Sequence, residues 1–407
     1  MSKLAAYQQI VGKDEIDQLY RLASLSKGKK VLMVNSTKDG GGVAEILHQL
    51  VPLLCELGID CQWTTIEGDA AFFEITKSMH NAMQGKKINF SPDALDYYLK
   101  INQQNAERLD LQADIVVIHD PQPLALVSYA KKGGAKWVWR CHIDTSKPEL
   151  SLWKFFKSHL LGYDASIYSI AKFSRLLPHP QYLIPPSIDP LSDKNRHLSP
   201  EQIKKVLSRY KLNTDKPMLL QVSRFDKFKD PVGVIKAYRL VKKELDLQLV
   251  LAGGTASDDP EGAMVFEEVK RAAGDDPDIH VLLLDPGSHI EINALQRAAD
   301  VIIQKSTREG FGLVVTEAMY KGKPVVGGAV GGITIQIQNH HTGFLVHSPE
   351  GAAYRVRYLI NRARVRQQMG KAARDYVGSN FLITRHLRDY LALFYVLYNM
   401  NQSIIYV

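Results

Sequence analysis

Lys305–Tyr320, with the sequence KSTREGFGLVVTEAMY, is the stretch around which the chain is organised. The apolar run Val301–Ile303 just before it predicts a buried strand, and the two glycines of GFG then interrupt the pattern. From Leu313 onward the apolar residues recur at helical spacing. This order places Glu309 on the loop that follows a strand and Glu317 inside the next helix.

The loop that carries Glu309 lies where an α/β sheet binds ligands. In open α/β sheets, ligands bind at the carboxyl ends of the strands. The loop leads into a helix N-terminus, whose free N–H groups and positive dipole end favour phosphate, while carboxylates accept hydrogen bonds from sugar hydroxyls. For Glu309 and Glu317 alone, the simpler interpretation is two solvated charges and a packing turn, because short motifs carry a risk of false positives.

Composition and charge are those of a globular protein of two or three domains. The chain has 407 residues, of which 45% are hydrophobic and 23% are charged. No apolar run is long enough to span a bilayer, and the N-terminal stretch lacks the apolar core of a signal peptide. The three cysteines form neither a CxxC motif nor a paired framework. We therefore expect reduced thiols, a cytoplasmic protein and no membrane partner.

The net charge of +8 can be explained by several kinds of anionic partner or by none. A basic balance can favour nucleic acid or an anionic membrane. Lys and Arg are spread along the chain without a run of five, and nucleic-acid-binding signatures are absent, so we expect no nucleic-acid partner. Attraction for an anionic small substrate explains the excess equally well, and many basic proteins have no such reason.

The first half of the chain begins with a βαβ pattern around a glycine loop. Lys29–Val34 predicts a buried strand, and Val43–Leu57 has the apolar spacing of a helix. Gly40–Gly42, between them, lies where a ligand phosphate would approach. The dinucleotide motif GxGxxG is not met, because Glu45 occupies the place of its last glycine. The loop is therefore a candidate phosphate cradle, with a flexible turn as the alternative.

Three predicted strands of the first half end in polar residues. Strand ends are ordinary places for solvated polar side chains, but three such ends on one edge of a sheet would converge on one cleft. The polar residues at these ends are Asn35, then His119, Asp120 and Gln122, then Arg140, His142 and Asp144.

A proline-rich connection divides the chain into two βα arrays. Pro185–Pro190 has three prolines in six residues, which favours an extended, semi-rigid segment. Ser199–Gln202 then reads as a capping box with proline at the first helical position, and Met218–Val222 begins the second series of strands. Two successive βα arrays predict an α/β protein of two doubly wound, Rossmann-like domains that face each other across an interdomain cleft.

Two cations follow the first strand of the second array. Arg224 and Lys229 are expected to point toward the edge that carries Glu309. A guanidinium and an ammonium suit a diphosphate, and together with a helix N-terminus they can replace Mg²⁺ at a leaving nucleotide. We therefore expect no metal and no cofactor. The pair Asp258 and Asp259 precedes a predicted helix and is interpreted as a cap rather than a metal site.

These motifs resemble those of the retaining GT-B glycosyltransferases of family 4, which includes glycogen, sucrose and trehalose synthases. The E-x7-E motif of that family is matched by Glu309 and Glu317, its Arg-x4-Lys pair by Arg224 and Lys229, and its glycine loop by Gly40–Gly42. Longer blocks, among them NSTKDGGGVAEILHQLVPLL, IHDPQPLAL and WRCHIDTS, look like the trehalose-forming glycosyltransferring synthases and the related trehalose phosphorylases.

The resemblance implies a GT-B fold and its domain bounds. An N-terminal acceptor-side domain would comprise residues 1–188 with a crossing C-terminal helix, 384–407. The nucleotide-sugar-binding domain would comprise residues 189–383. The C-terminal helix has an alternative use as a homodimer contact. The sequence departs from archaeal relatives at Gly328, where the resemblance predicts a basic residue, and the effect on donor binding stays open.

The resemblance also implies residue roles. Glu309, Arg224, Lys229 and His142 would be catalytic, and Glu317 would hold the ribose hydroxyls. The donor-binding set is Gly40, Gly41, Gly42, Arg224, Lys229, Glu309, Gly310, Phe311, Gly312, Leu313 and Glu317. The acceptor-binding set is Asn35, His80, Asn81, Asp120, Gln122, Arg140 and Asp144. For His80 and Asn81, capping or packing within a helix is an equal alternative.

The activity implied by the resemblance is transfer of glucose from UDP-glucose or ADP-glucose to glucose. The product would be α,α-trehalose, with retained configuration, no protein nucleophile and a reversible reaction. Trehalose phosphorylase is the nearest alternative, and a UDP-sugar epimerase is a weaker one. A nucleotide-sugar-binding regulator without turnover is the alternative from a different class. The nucleotide base is not distinguished, because backbone groups are expected to read it.

Overall fold

The computed structural model describes residues 3–39, 41–131, 133–254, 260–285 and 287–400. Gly40, Asp258 and Asp259 lie outside these residues. The chain forms two compact units, of which the first comprises Met1–Ser187 with Ile383–Val407 and the second comprises Ile188–Leu382. Within the residues that the structure describes, each unit contains one sheet of six strands. No helix in the described ranges is long and apolar enough to cross a membrane.

The sheet of the first unit is wholly parallel. Its four central strands are short, largely apolar runs that are buried on both faces, as expected when helices cover a parallel sheet, whereas its two edge strands are partly exposed. The strands are β1 (Lys30–Asn35), β2 (Asp60–Thr65), β3 (Ile115–His119), β4 (Lys136–Arg140), β5 (Ala165–Tyr168) and β6 (Gln181–Leu183), in the spatial order β2-β1-β3-β4-β5-β6. Their carboxyl ends therefore share one edge of the sheet, as the sequence predicts.

Among the described residues, six α-helices accompany this sheet before the chain leaves the first unit. They are α1 (Lys3–Val11), α2 (Lys13–Ser24), α3 (Gly41–Glu56), α4 (Ala70–Met83), α5 (Pro92–Arg108) and α6 (Leu150–Leu160). The predicted helix Val43–Leu57 corresponds to α3. Helices α1, α2, α5 and α6 are absent from the sequence prediction, although the buried residues of α2, such as Ile16, Leu19 and Ala23, recur at helical spacing.

The second unit repeats this construction with another wholly parallel sheet. Its strands are β7 (Met218–Val222), β8 (Gln248–Gly253), β9 (Ile279–Leu283), β10 (Val301–Gln304), β11 (Val325–Gly328) and β12 (Gly343–Val346), in the order β12-β11-β10-β7-β8-β9. Strand β11 begins only at Val325, because the backbone N–H of Lys323 still donates to the Ala318 carbonyl at the end of the preceding helix. It continues through Gly328, which pairs with Val346.

The helices of the second unit alternate with its strands. They are α7 (Pro200–Arg209), α8 (Pro231–Lys242), α9 (Pro260–Ala273), α10 (His289–Ala298), α11 (Leu313–Tyr320), α12 (Ile333–Gln336), α13 (Pro349–Ile360) and α14 (Ala363–Asn380). The predicted capping box forms at α7, where Ser199 Oγ accepts from Gln202 N at 3.3 Å and Ser199 N donates to Gln202 Oε1 at 2.9 Å.

A last helix, α15 (Ile383–Tyr398), returns the chain to the first unit. Its apolar face joins the core of that unit through residues such as Leu387 and Phe394. Two neighbouring side chains of α15 contact residues near Ser187, where the segment Met1–Ser187 ends. Arg385 donates to the Pro185 carbonyl at 2.7 Å, and His386 Nδ1 lies 2.8 Å from Ser187 Oγ. A homodimer contact through this helix stays a prediction.

Candidate active site

Glu309 is held at the carboxyl edge of the second sheet by two side chains. It lies on the loop between β10 and α11 and is only 9% exposed. Its Oε2 accepts a hydrogen bond from Lys229 Nζ at 2.7 Å and one from Ser306 Oγ at 3.2 Å. A charged hydrogen bond of this length is among the stronger side-chain contacts. The carboxylate is therefore anchored on one oxygen beside a cation.

Close backbone packing determines the shape of the Glu309 loop. Gly312 has a φ of +87°, a conformation that glycine adopts at little cost. A Cβ at Gly331 would lie 1.6 Å from the Glu309 carbonyl oxygen, so only glycine permits this approach. Gln336 Nε2 donates to the Phe311 carbonyl at 2.6 Å. The loop between β10 and α11 is thus fixed from both sides.

Helix α11 presents an uncapped N-terminus next to this loop. Gly312 is its N-cap residue and has no side chain that can accept from the first N–H groups, of which Leu313 carries one. Glu317, in the second turn, is 2% exposed, and its Oε2 has no hydrogen-bond partner among the described residues. A buried carboxylate oxygen without a partner is an acceptor available to a ligand.

The loop after β7 brings Lys229, but not Arg224, to Glu309. Residues Lys227–Lys229 form a 3₁₀ turn, and Gln221 Nε2 donates to the Lys229 carbonyl at 2.8 Å. The Arg224 side chain is 64% exposed, and its guanidinium lies 3.9 Å from Asp226 Oδ2. Arg224 is therefore a solvated cation near this edge, and its part in binding a diphosphate stays a prediction.

A second ion pair in this site was missed by the sequence analysis. The Lys305 ammonium, 6% exposed, pairs with the carboxylate of Asp230. Asp230 has a φ of 49° and caps α8 by accepting from Gly233 N at 3.0 Å. The Thr307 N–H also donates to the Phe228 carbonyl at 2.8 Å. These contacts join the Lys229 loop to the Glu309 loop, and no local pattern indicated them.

Gly328, where the sequence departs from the archaeal pattern, ends β11 against the Glu309 loop. A Cβ at this position would lie 2.2 Å from the Ser306 carbonyl oxygen. A side chain here would therefore require the Ser306 backbone to move. Because Ser306 donates to Glu309, such a change would reach the carboxylate.

In the first unit, the described part of the glycine loop begins α3. Gly41 has a φ of +77°, and both Gly41 and Gly42 are exposed. A Cβ at Gly41 would meet no atom within 4 Å. The helix N-terminus is thus open to solvent at these two residues, and phosphate binding here stays a prediction.

Asn35 and Asp120, two of the polar residues at the strand ends, are each held by hydrogen bonds. Asn35 Oδ1 accepts from Trp63 Nε1 at 2.8 Å, while its Nδ2 donates to the Thr37 carbonyl at 2.7 Å. Asp120 has a φ of 65°, and its Oδ1 accepts from the His142 N–H at 2.8 Å. Burial raises the pKa of the Asp120 carboxyl to about 6, although the His142 N–H and the Arg140 charge oppose this shift.

The remaining predicted acceptor residues lie in separate environments. Gln122 Oε1 is buried and has no hydrogen-bond partner among the described residues. Asp144 Oδ1 accepts from Ser146 N at 2.9 Å and so caps a turn. His80 and Asn81 lie near the end of α4, half-buried, and the Asn81 carbonyl accepts from Lys86 N at 3.1 Å. Acceptor binding by this set stays a prediction.

A buried cluster of cationic and imidazole groups lies beneath α15 in the first unit. The Arg140 side chain has no exposed surface, and its three guanidinium nitrogens have no hydrogen-bond partner within the described ranges. His119 Nδ1 lies 3.0 Å from His142 Nε2. His386 and Tyr390 of α15 are also buried, with ring centroids 5.1 Å apart. Burial, followed by the Arg140 charge, lowers the pKa of His119 to about 3.

The sequence analysis placed Arg140 and His142 in the site but assigned no role to His119 or His386. The strand-end position of His119 was a signal for it. His386 had none, because it belongs to a helix that is distant in sequence. Since Arg140 is fully buried, a sugar would reach it only after movement of its surroundings, and its role toward the acceptor stays a prediction.

Comparisons with known families match both units. The family model described as "Trehalose synthase, N-terminal domain" matches residues 33–175, and the one described as "Glycosyl transferases group 1" matches residues 202–376. The chain is 47% identical to the trehalose synthase of Thermococcus litoralis over 96% of both chains. It is 28% identical to the trehalose phosphorylase of Pleurotus pulmonarius, covering 84% of this chain and 54% of that protein.

The fold matches solved structures of low sequence identity. A structure described as "Trehalose-6-phosphate from E. coli bound with UDP-2-fluoro glucose" has a TM-score of 0.73 and 15% identity, and the match covers 90% of this chain and 99% of that one. Together with the two parallel six-stranded sheets, this similarity confirms the predicted α/β GT-B fold.

Proposed function

Because this chain belongs to the trehalose synthase family of the group 1 glycosyltransferases, we propose that it transfers glucose from UDP-glucose or ADP-glucose to glucose. The product is α,α-trehalose, and the transfer is reversible. The observation that carries this proposal is the Lys229–Glu309 pair, 2.7 Å apart beside the uncapped N-terminus of α11. A carboxylate for sugar hydroxyls thus lies next to positive groups for a diphosphate.

The proposed reaction retains the α configuration without a covalent enzyme intermediate. The bond between glucose C1 and the diphosphate oxygen breaks while C1 bonds to the acceptor hydroxyl oxygen on the same face. The acceptor proton passes to the leaving diphosphate oxygen. Lys229, Arg224 and the N–H groups of Gly310–Leu313 stabilise the negative charge that develops there, so no metal is required.

The two carboxylates have different parts in this proposal. Glu309 accepts from hydroxyls of the transferred glucose through the oxygen that Lys229 leaves free, whereas Glu317 accepts from the ribose. The buried Glu317 Oε2 has no partner among the described residues, which supports a nucleotide donor over inorganic phosphate. In a phosphorylase, which uses no ribose, this acceptor would have no ligand partner.

Residues of the first unit complete the assignment. Gly41 and Gly42 bind the diphosphate through their exposed helix N-terminus, and His142 contacts the transferred glucose. The acceptor glucose binds near the polar residues of the first unit that were assigned to it. They are Asn35, His80, Asn81, Asp120, Gln122, Arg140 and Asp144. The anchored positions of Asn35 and Asp120 support this, because preorganised polar groups bind hydroxyls with little reorganisation.

Product analysis tests the proposal. The purified chain is incubated with glucose and, separately, UDP-glucose, ADP-glucose, GDP-glucose or α-glucose 1-phosphate, with and without EDTA. Trehalose from a nucleotide-glucose in the presence of EDTA is the expected result and names the base. Trehalose only from glucose 1-phosphate would identify a phosphorylase. Donor binding without turnover for any donor would indicate a regulator.

A further inference from the structure

His119 and His142 form a hydrogen-bonded pair at the edge of the first sheet. His119 ends β3, and His142 lies two residues after β4. Nδ1 of His119 is 3.0 Å from Nε2 of His142, and the rings are stacked at 14° with centroids 5.3 Å apart. A hydrogen bond between two neutral imidazoles uses one proton, so the tautomer of one ring determines that of the other.

Both rings are neutral in this environment. Burial and the Arg140 guanidinium lower the pKa of His119 to about 3 and hold the pKa of His142 well below its usual range. The proximity of His119 also lowers the pKa of His142, because two neighbouring imidazoles resist becoming cations together. The other charged or titratable groups around them are Asp120 after β3 and Arg385, His386 and Tyr390 on α15.

The surroundings of His119 decide which of its nitrogens carries the proton. Its Nε2 is buried and has no hydrogen-bond partner in the described part of the chain. A buried N–H without a partner is rarer than an unused acceptor. The positive charge of Arg140, on the neighbouring strand, also favours a lone pair over an N–H at that nitrogen. The proton of His119 therefore lies on Nδ1, which donates to His142 Nε2.

We propose that His119 is a positioning residue that fixes His142 as its Nδ1–H tautomer, so that His142 offers a hydrogen-bond donor to a hydroxyl of the transferred glucose. The backbone N–H of His142 donates to Asp120 Oδ1 at 2.8 Å, and this bond holds the His142 backbone in place beside His119. The inference rests on the proposed function, because the contact between His142 and the sugar belongs to it.

Nitrogen-15 NMR of the full chain, labelled at histidine, measures the tautomer directly. The His142 signals are identified by their loss in His142→Gln, and the shifts and ring couplings show which nitrogen is protonated. We expect a protonated Nδ1 and a bare Nε2 at neutral pH. A proton on Nε2 of His142 in the unmodified protein would overturn the inference.

Two substitutions separate the hydrogen bond from the bulk of the ring. In His119→Asn, the amide N–H takes the place of Nδ1–H, so His142 keeps its tautomer. His119→Phe keeps a buried ring but lacks the donor, so His142 shifts toward Nε2–H, the usual form of free imidazole. We expect kcat for trehalose formation to fall about 10- to 100-fold in His119→Phe and to stay near the unmodified value in His119→Asn.

The combined results distinguish this inference from the proposed function. A changed His142 tautomer in His119→Phe with an unchanged kcat would support positioning by His119 and reject the sugar contact of His142. A reduced kcat with the same tautomer in all three proteins would overturn positioning. Thermal unfolding of each variant shows whether the fold is retained, and the tautomer of folded His119→Asn still tests the inference if His119→Phe does not fold.

Discussion

Three cations that end or follow strands of the two sheets differ in whether an acidic partner lies beside them. In the second unit, Lys229 pairs with Glu309, and Lys305 pairs with Asp230. In the first unit, Arg140 is fully buried, and within the described ranges its guanidinium has no hydrogen-bond partner. A buried charge without a partner is costly, whereas a paired one is stabilised until a ligand replaces the partner. We therefore expect the paired cations of the second unit to serve an anionic ligand, whereas Arg140 adds to the effect of burial in lowering the pKa of His119.

Breaking the Lys305–Asp230 pair should have the largest effect on stability. Asp230→Asn keeps a capping side chain and a residue that tolerates positive φ, but it leaves the buried Lys305 ammonium unpaired. We expect a loss of about 3 kcal/mol in the free energy of unfolding. Asp246→Asn is the control, because the Asp246 side chain is 67% exposed and solvent screens its ion pairs, so its replacement should cost less stability. Equal urea midpoints for both variants would contradict the pairing argument.

Removing the groups that stabilise the leaving diphosphate should have the next largest effect. Lys229→Ala and Arg224→Ala should each lower kcat about 10²- to 10³-fold, or about 2.7–4 kcal/mol. Lys227→Ala is the matched control, because it is an exposed lysine on the same 3₁₀ turn. Initial rates of trehalose formation measure the difference. Unchanged kinetics in either variant would reject its assigned role.

Glu309→Ala tests the carboxylate of the same pair. It removes the acceptor for the sugar hydroxyls and leaves Lys229 without its partner, so we expect transfer to fall by about as much as in the lysine variant. The measurement is kcat/KM for the nucleotide-glucose donor. Full transfer activity in this variant would exclude the role proposed for Glu309.

Replacing Arg140, the buried cation of the first unit, should raise the stability of the protein rather than lower it. Arg140→Met removes a desolvated charge and keeps an apolar side chain of similar length, so the free energy of unfolding should rise by about 1 kcal/mol or more. Arg385→Met is the comparison, since Arg385 is bonded to Asp389 at 2.7 Å and should lose stability on replacement. Urea unfolding of both variants tests this, and a destabilised Arg140→Met would show that Arg140 has a buried partner.

The smallest effect should be a dependence of stability on pH. His119, His142 and His386 have lowered pKa values, so the unfolded chain takes up protons below pH 6.5 that the folded chain does not, and stability falls with acidification. Asp120, whose pKa is raised from 3.8 to about 6, acts in the opposite sense between these values. Lys321, whose pKa burial lowers to about 7, and further imidazoles with lowered pKa values act in the same sense as the three histidines. These groups outnumber the opposing carboxyl, so the unfolding free energy should be lower at pH 5 than at pH 7.

A substitution on α15 isolates the histidine contribution to this dependence. His386→Phe removes one buried imidazole and should reduce the difference in unfolding free energy between pH 5 and pH 7. His341→Phe, at an exposed position of the second unit, is the control and should leave the difference unchanged. A pH dependence that is the same in both variants would exclude His386 as a contributor.

Much of the fold could be predicted because buried parallel strands are contiguous apolar runs. The predicted strand Met218–Val222 coincides with β7, and the predicted strand Val301–Ile303 lies within β10. Helix α5 was missed although Ser91 caps it, because buried Asn102 and Asn105 interrupt its apolar face. The side-chain amides of these two residues donate to backbone carbonyls, as Asn102 does to the Gln122 carbonyl at 3.1 Å. A local sequence pattern does not reveal such a partner.

The sequence by itself determined which segments become strands and which carboxylates and cations follow them. Glu309 and Lys229 could be placed on one edge because the apolar runs that mark strands are local, and the carboxyl ends of parallel strands share one edge of a sheet. The tertiary structure alone decided that Lys305 meets Asp230, that His119 meets His142 and that Arg140 has no described partner. These outcomes depend on distances between residues far apart in the chain, and electrostatic energies change steeply with such distances and with burial.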